Sequence, residues 1–216
     1  MPAPPPRDRA AAALGVLGFA GNVAGVLFLA DVPVAYRPTD IDRWAALAAA
    51  HPQATVASAV SFVVGLLALA AWAAALGRHV GTPGARLGAA SIATGAVLNA
   101  AGCVTPLVLV THVLPGCPPG ACTGAARALL GVTLSLDALF NLLLGVGLLA
   151  LAPALWRGGA RGLALLGLVA GLASLPVAGQ PFSEQAAKLL GIAGPLWLAF
   201  TLWSSARLWR GTPGRP

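Results

Sequence analysis

Charge is what this sequence has least of. Only 9% of its 216 residues are charged, and just six are acidic. A soluble domain carries about 25%, so 9% cannot cover a water-facing surface. Hydrophobic residues make up 58%, too much apolar surface for a chain left unfolded in water. Tyrosine and methionine occur once each and lysine once, while glycine reaches 27 and proline 18. No Walker or dinucleotide-binding glycine pattern occurs, nor does HExxH or CxxC. Neither a Ser-His-Asp order nor a carboxylate pair stands out. The sequence therefore carries no enzyme signature and calls for no cofactor. A net charge of +7 does not indicate a nucleic-acid partner, because the arginines form short scattered clusters rather than one basic face.

What is present is apolar length. A bilayer core about 30 Å thick needs about 20 apolar residues in a helix. Six stretches meet or approach this: Ala10–Ala30, Ala54–Leu76, Leu87–Val113, Leu129–Leu151, Gly162–Ala178 and Ala186–Leu208. The fifth is the shortest. None alternates with period two, so a β-barrel is disfavoured. The fold expected is all-α, a six-helix transmembrane bundle in a single domain over residues 10–210. A Pro-rich disordered tail, residues 1–9, precedes it, and residues 211–216 form a C-terminal tail. The first stretch is too long for a signal peptide, and Phe28 spoils a small-x-small cleavage site, so it reads as a retained helix.

Basic residues orient the bundle. With both termini inside, nine arginines fall on the inner side: Arg7, Arg9, Arg78, Arg86, Arg157, Arg161, Arg207, Arg210 and Arg215. Arg37, Arg43, Arg127 and Lys188 fall outside. With Asp8 inside and Asp31, Asp40, Asp42 and Glu184 outside, the inner face nets +8 and the outer face 0. The expected location is the cell inner (cytoplasmic) membrane, crossed several times. High Ala, Gly, Arg and Pro fit a bacterial source.

The loops add detail. Thr39 and Asp42 have capping-box spacing, and Ile41–Ala50 reads as a short helix on the outer membrane surface, with Trp44 suited to the interface. Cys117-Pro-Pro-Gly-Ala-Cys122 reads as a local disulfide staple in an oxidising compartment. Trp72, Trp156 and Trp209 near the inner helix ends suggest an aromatic belt. His51 and His112 are weak candidates for an outer metal or haem site. The segment VGLLALA occurs at Val64–Ala70 and again at Val146–Ala152, a faint sign of a parallel repeat. Pro106 and Pro195 fall inside spans and should kink them. Small residues four apart (Gly21/Gly25, Gly84/Gly88, Ser91/Gly95, Gly167/Gly171) allow close helix contacts, within the chain or between subunits.

One ionisable residue lies deep. Asp at a helix centre costs about 2.5–3.5 kcal/mol on insertion scales. Asp137 sits near the middle of the fourth span, with Asn141 one turn on along the same face. Asn22 and Asn99 lie near the middles of the first and third spans. Ser135, Thr133 and Thr94 are close by in sequence. If the helices converge, these residues make a midplane polar site. Asp137 would be the titrating group there, or a cation's partner, and the three Asn residues would orient it. The bland alternative is a protonated Asp137 that pins helix packing through a hydrogen bond.

The layout resembles a group of bacterial six-helix membrane proteins known as domain of unknown function 4386. The likeness lies in a long first outer loop followed by WAALAAAHPQATVASAVSF, and in a fourth helix bearing Asp and Asn, LSLDALFNLLLGVGLLALAPAL. After a short basic turn come GLALLGLVAGLASL and a closing GIAGPLWLAFTLW. The resemblance implies fold and membrane location, and no activity. Three functions fit the sequence. One is a small carrier or sensor for a proton, cation or small solute. A second is a non-catalytic subunit or scaffold with a membrane-protein partner or a second copy of itself. The third is a membrane redox or haem protein.

Overall fold

The computed structural model describes residues 8–28, 41–117 and 123–211. The Pro-rich residues 1–7, the Thr39 cap, Cys122 and residues 212–216 lie outside the described residues. All regular structure among the described residues is helical. It comprises α1 (Arg9–Phe28), α2 (Ile41–Ala50), α3 (Pro52–Val80), α4 (Pro83–Val108), α5 (Thr123–Arg157), α6 (Arg161–Val177), α7 (Glu184–Lys188) and α8 (Leu190–Arg210). A π-helical turn (Leu109–Val113) and a 3-10 turn (Leu114–Gly116) extend α4. Five helices are long and apolar enough to cross a membrane, and α6 is a shorter apolar helix.

Each helix begins or ends for a local reason. The Asp8 carboxylate accepts the Ala11 N–H at 2.9 Å at the start of α1. Thr82 caps α4, accepting from the Ala85 N–H at 3.2 Å. Ser183 does the same for α7. Gly81 (φ 79°) and Gly211 (φ 64°) terminate α3 and α8 in the left-handed region, where a Cβ would be strained. In α4, Pro106 has no N–H for the Gly102 carbonyl. Two hydroxyls take its place, from Thr105 at 2.8 Å and from Thr133 of α5 at 3.2 Å. The π-helical turn follows directly, as expected where the regular hydrogen-bond ladder is broken.

The six longer helices α1, α3, α4, α5, α6 and α8 pack chiefly in chain order, and α8 closes the ring against α1. Alternating direction brings Arg9, Arg78, Arg86, Arg157, Arg161, Arg207 and Arg210 to one end. Arg9 lies over the Trp209 ring at 5.6 Å and Arg161 over Trp156 at 5.9 Å. This is the basic end. At the opposite end α2 packs against α5 and α3.

The small-residue pairs are spent inside the chain. A Cβ on Gly21 would sit 2.6 Å from the Cα of Gly65 in α3, and one on Gly88 would sit 2.5 Å from the carbonyl of Gly147 in α5. Gly167 faces the Phe200 ring and Gly171 the Gly145 carbonyl. The repeated VGLLALA segments occupy equivalent places. Gly65 and Gly147 each meet the preceding long helix, and Leu66, Leu69, Leu148 and Leu151 are all buried.

Two tryptophans depart from expectation. Trp156 and Trp209 are about half exposed at the basic end, but Trp72 is 1% exposed. It fills the centre of the ring, edge-to-face with Phe200 at 6.3 Å, so it does not belong to an interfacial belt. Trp44 also faces protein. It is buried with Ala48 against Leu109, Val110, Ala126 and Leu130, because the π-helical turn after α4 and the first turns of α5, which begins at Thr123, give α2 a protein surface to cover. The outward faces carry Leu17, Leu67, Leu87, Leu165, Leu172 and Ile192, all exposed. Apolar surface on this scale requires lipid or another apolar partner.

Candidate functional site

The helical spacing of α5 sets the site. Asp137, Phe140 and Asn141 stand at i, i+3 and i+4, on one face. α4 supplies Asn99 across the tightest seam of the bundle. There the Ser91 hydroxyl donates to the Leu143 carbonyl at 2.8 Å, and Gly95 lets Phe140 come close.

Three side-chain amides converge on one carboxyl group. Asn99 Nδ2 donates to Asp137 Oδ1 at 2.8 Å. Asn141 Nδ2 donates to Asp137 Oδ2 at 3.3 Å and to the Asp137 carbonyl at 2.9 Å. Gln180 Nε2 donates to Oδ2 at 2.5 Å. A carboxylate is an acceptor-only group, and both its oxygens are engaged by N–H donors. Two amide oxygens beside it, Asn141 Oδ1 and Gln180 Oε1, are buried without a hydrogen-bond partner. The group thus combines one carboxyl with unspent acceptor atoms.

Gln180 is the residue that sequence reasoning placed in an outer loop. It is 0% exposed. α6 has only 17 residues, about 25 Å of helix, so the chain turns early. A series of tight-turn hydrogen bonds over 178–182, including the Gln180 N–H to the Val177 carbonyl at 2.9 Å, folds the segment back toward α5. The shortness of the fifth apolar stretch was the available signal.

Asn22 is buried and donates to the Gly18 carbonyl of its own helix at 2.8 Å. With Asn99, Asp137 and Asn141 it lines a cavity of about 510 Å³ between α1, α4, α5 and the α7–α8 segment. Thr133 lines it too. Ser135 and Thr94 are exposed and lie elsewhere. The remaining wall is mostly apolar, with Val26, Phe62, Leu190 and Leu198 among its members. Phe140 and Trp197 also line it, edge-to-face at 5.9 Å. Beyond them toward the basic end, Trp72 and Phe200 close the ring. α1 and α8 touch in that half, where Gly15 meets Ser205. The cavity lies where their other halves separate.

Asp137 lies 14 residues from the start of α5 and 20 from its end at Arg157. That places it about 30 Å along the helix from the basic end, three residues from the middle of α5.

The other sequence candidates separate from this cluster. His51 and His112 are both exposed. His112 Nδ1 pairs with the Thr111 hydroxyl at 2.6 Å. Among the described residues no group of three or more His, Cys, Asp or Glu is placed to hold a metal. Cys117 is disulfide-bonded, and Cys122, its expected partner, lies outside the described residues. Cys103 is a free, buried thiol in the cavity wall.

Compared with known protein families, with curated proteins and with solved structures, the chain matches none.

Proposed function

We propose that this chain is a six-span membrane protein, with both termini inside, that acts as a small carrier or sensor. It binds a proton, cation or small solute at Asp137. The observation that carries this reading is the convergence of Asn99, Asn141 and Gln180 on the Asp137 carboxyl in the wall of a 510 Å³ cavity. An ionisable group in an apolar helix is costly. A single interhelical bond from one Asn would suffice to pin packing. Three amides and an adjoining cavity exceed that need.

The six-span topology is supported by the closed ring of helices and by the gathering of seven arginines at one end. A 17-residue α6 lies at the lower limit for a span. Under the positive-inside rule the basic end faces the cytoplasm, and the protein resides in the bacterial inner membrane. The cavity then lies toward the outer side, and the Trp72–Phe200 packing closes the inner side. The scaffold reading loses its main surface, because the small-residue faces are used within the chain.

The test is Asp137→Asn in reconstituted vesicles, assayed for proton- or solute-linked flux and for ligand binding. The variant should remain folded and lose the activity. Undiminished activity in that variant would refute the assignment of Asp137.

A further inference from the structure

Taking the Asp137 site as the binding site, we propose that its ligand is a lipophilic organic ammonium ion, an apolar body bearing a protonated amine. The chemistry of the wall selects this class. The carboxylate brings one negative charge, and its three hydrogen-bond partners are neutral amides, which do not themselves neutralise it. Lys188, on the exposed surface of α7, is the other charged residue of the wall.

The acceptor inventory points the same way. A carboxylate offers about four acceptor positions, of which three are filled. Asn141 Oδ1 adds another that is buried and unpartnered, on a residue that is 1% exposed and lines the cavity. Asn141 spends both Nδ2 hydrogens on Asp137, whereas Asn99 and Asn22 each keep one N–H beyond their bonds to Asp137 and to Gly18. A donating ligand is matched by the carboxylate, which can only accept. A primary ammonium has three N–H groups, and a quaternary one has none.

Size excludes a bare ion as the full occupant. A water-sized species takes about 30 Å³, against a cavity of about 510 Å³. The rest of that volume is walled by apolar side chains, including Val26, Phe62, Leu190 and Leu198, and filling it with hydrocarbon is favourable. Aromatic faces complete the fit. Phe140 lies one turn from Asp137 on the same helix face, and Trp197 packs against it. Such rings attract a cation placed over them.

The experiment uses the full chain in lipid nanodiscs. Binding of hexylammonium, octylammonium and phenethylammonium is measured by calorimetry and by tryptophan fluorescence. Comparison probes are hexanol, hexanoate, tetraethylammonium and sodium chloride. Wild type should bind at least one primary ammonium at least tenfold more tightly than hexanol or hexanoate of matching size. Asp137→Asn should erase that preference while still binding the neutral alcohol, and Asn141→Ala should weaken the amine more than the alcohol. The preference within wild type needs no variant, so a misfolded variant does not blunt the test. If no ammonium outcompetes its neutral analogue, the inference is overturned. Asp137-dependent binding of sodium, or of the alcohol alone, would also overturn it and leave the carrier or sensor reading standing. Loss of every Asp137-dependent signal would remove both.

Discussion

The contact between α1 and α3 yields a prediction whose size follows from geometry. Replacing Gly21 by Ala places a Cβ 2.6 Å from the Cα of Gly65 and 2.8 Å from both the Gly65 nitrogen and the Ser61 carbonyl. Carbon atoms pack best at about 3.5–4.0 Å, so α1 must retreat by about 1 Å. All three obstructing atoms are backbone, and no rotamer change relieves them. Overpacking of this kind costs about 1–3 kcal/mol. The retreat also stretches the bond from the Ser58 hydroxyl to the Gly25 carbonyl, now 2.8 Å, which adds about 0.6 kcal/mol if lost. The better helix propensity of Ala returns up to about 1 kcal/mol. With all three terms the net loss expected is about 0.6–2.6 kcal/mol. Gly131 is the control. A Cβ there meets nothing within 4 Å, so Gly131→Ala should be neutral or stabilising by up to about 1 kcal/mol. Thermal unfolding in one detergent, read by tryptophan fluorescence, compares the two directly. A Gly21→Ala protein that melts with or above Gly131→Ala would refute the close-packed α1–α3 seam.

Gln180→Ala removes one of three donors to Asp137 and should destabilise the protein by about 1–3 kcal/mol. It should also weaken any Asp137-dependent binding severalfold, which equilibrium binding would measure. A wild-type melt together with wild-type affinity would mean that Gln180 does not serve the site. If the small-residue faces served a scaffold's contacts between subunits, Gly171→Leu would disturb only assembly. Gly171 instead faces the Gly145 carbonyl at 3.0 Å and the Leu149 side chain, so the substitution should separate α5 from α6 and reduce the yield of folded monomer. Size-exclusion profiles settle it: a folded monomer that merely loses an oligomer peak would restore the subunit-interface reading.

Helix positions were legible because apolar length and flanking charge leave little choice in a chain this hydrophobic. The helix Ile41–Ala50 was visible down to its ends, but its environment was not. Trp44 turns inward because α2 packs on the turn after α4 and on the first turns of α5, and nothing in the residues of α2 marks that. Trp72 misled for a similar reason. Proximity to a helix end suggested an interface, yet the side of the helix decides burial, and an all-apolar helix hides its inner side from pattern analysis. For the site, Asp137, Asn99 and Asn141 could be picked out because polar groups are rare in such helices. Their mutual distances depend on helix rotation, which only packing fixes. Gln180 was hidden because a polar residue in a turn is ordinary. Its burial comes from the shortness of α6.

The most direct test of the Asp137 site is a native mass spectrum of gently purified wild type beside Asp137→Asn. Wild type should carry a small non-lipid molecule, compatible with a 510 Å³ cavity, that the variant lacks. Two bare proteins under conditions that retain bound lipid, or the same adduct on both, would contradict a binding function at Asp137 and leave it a packing residue.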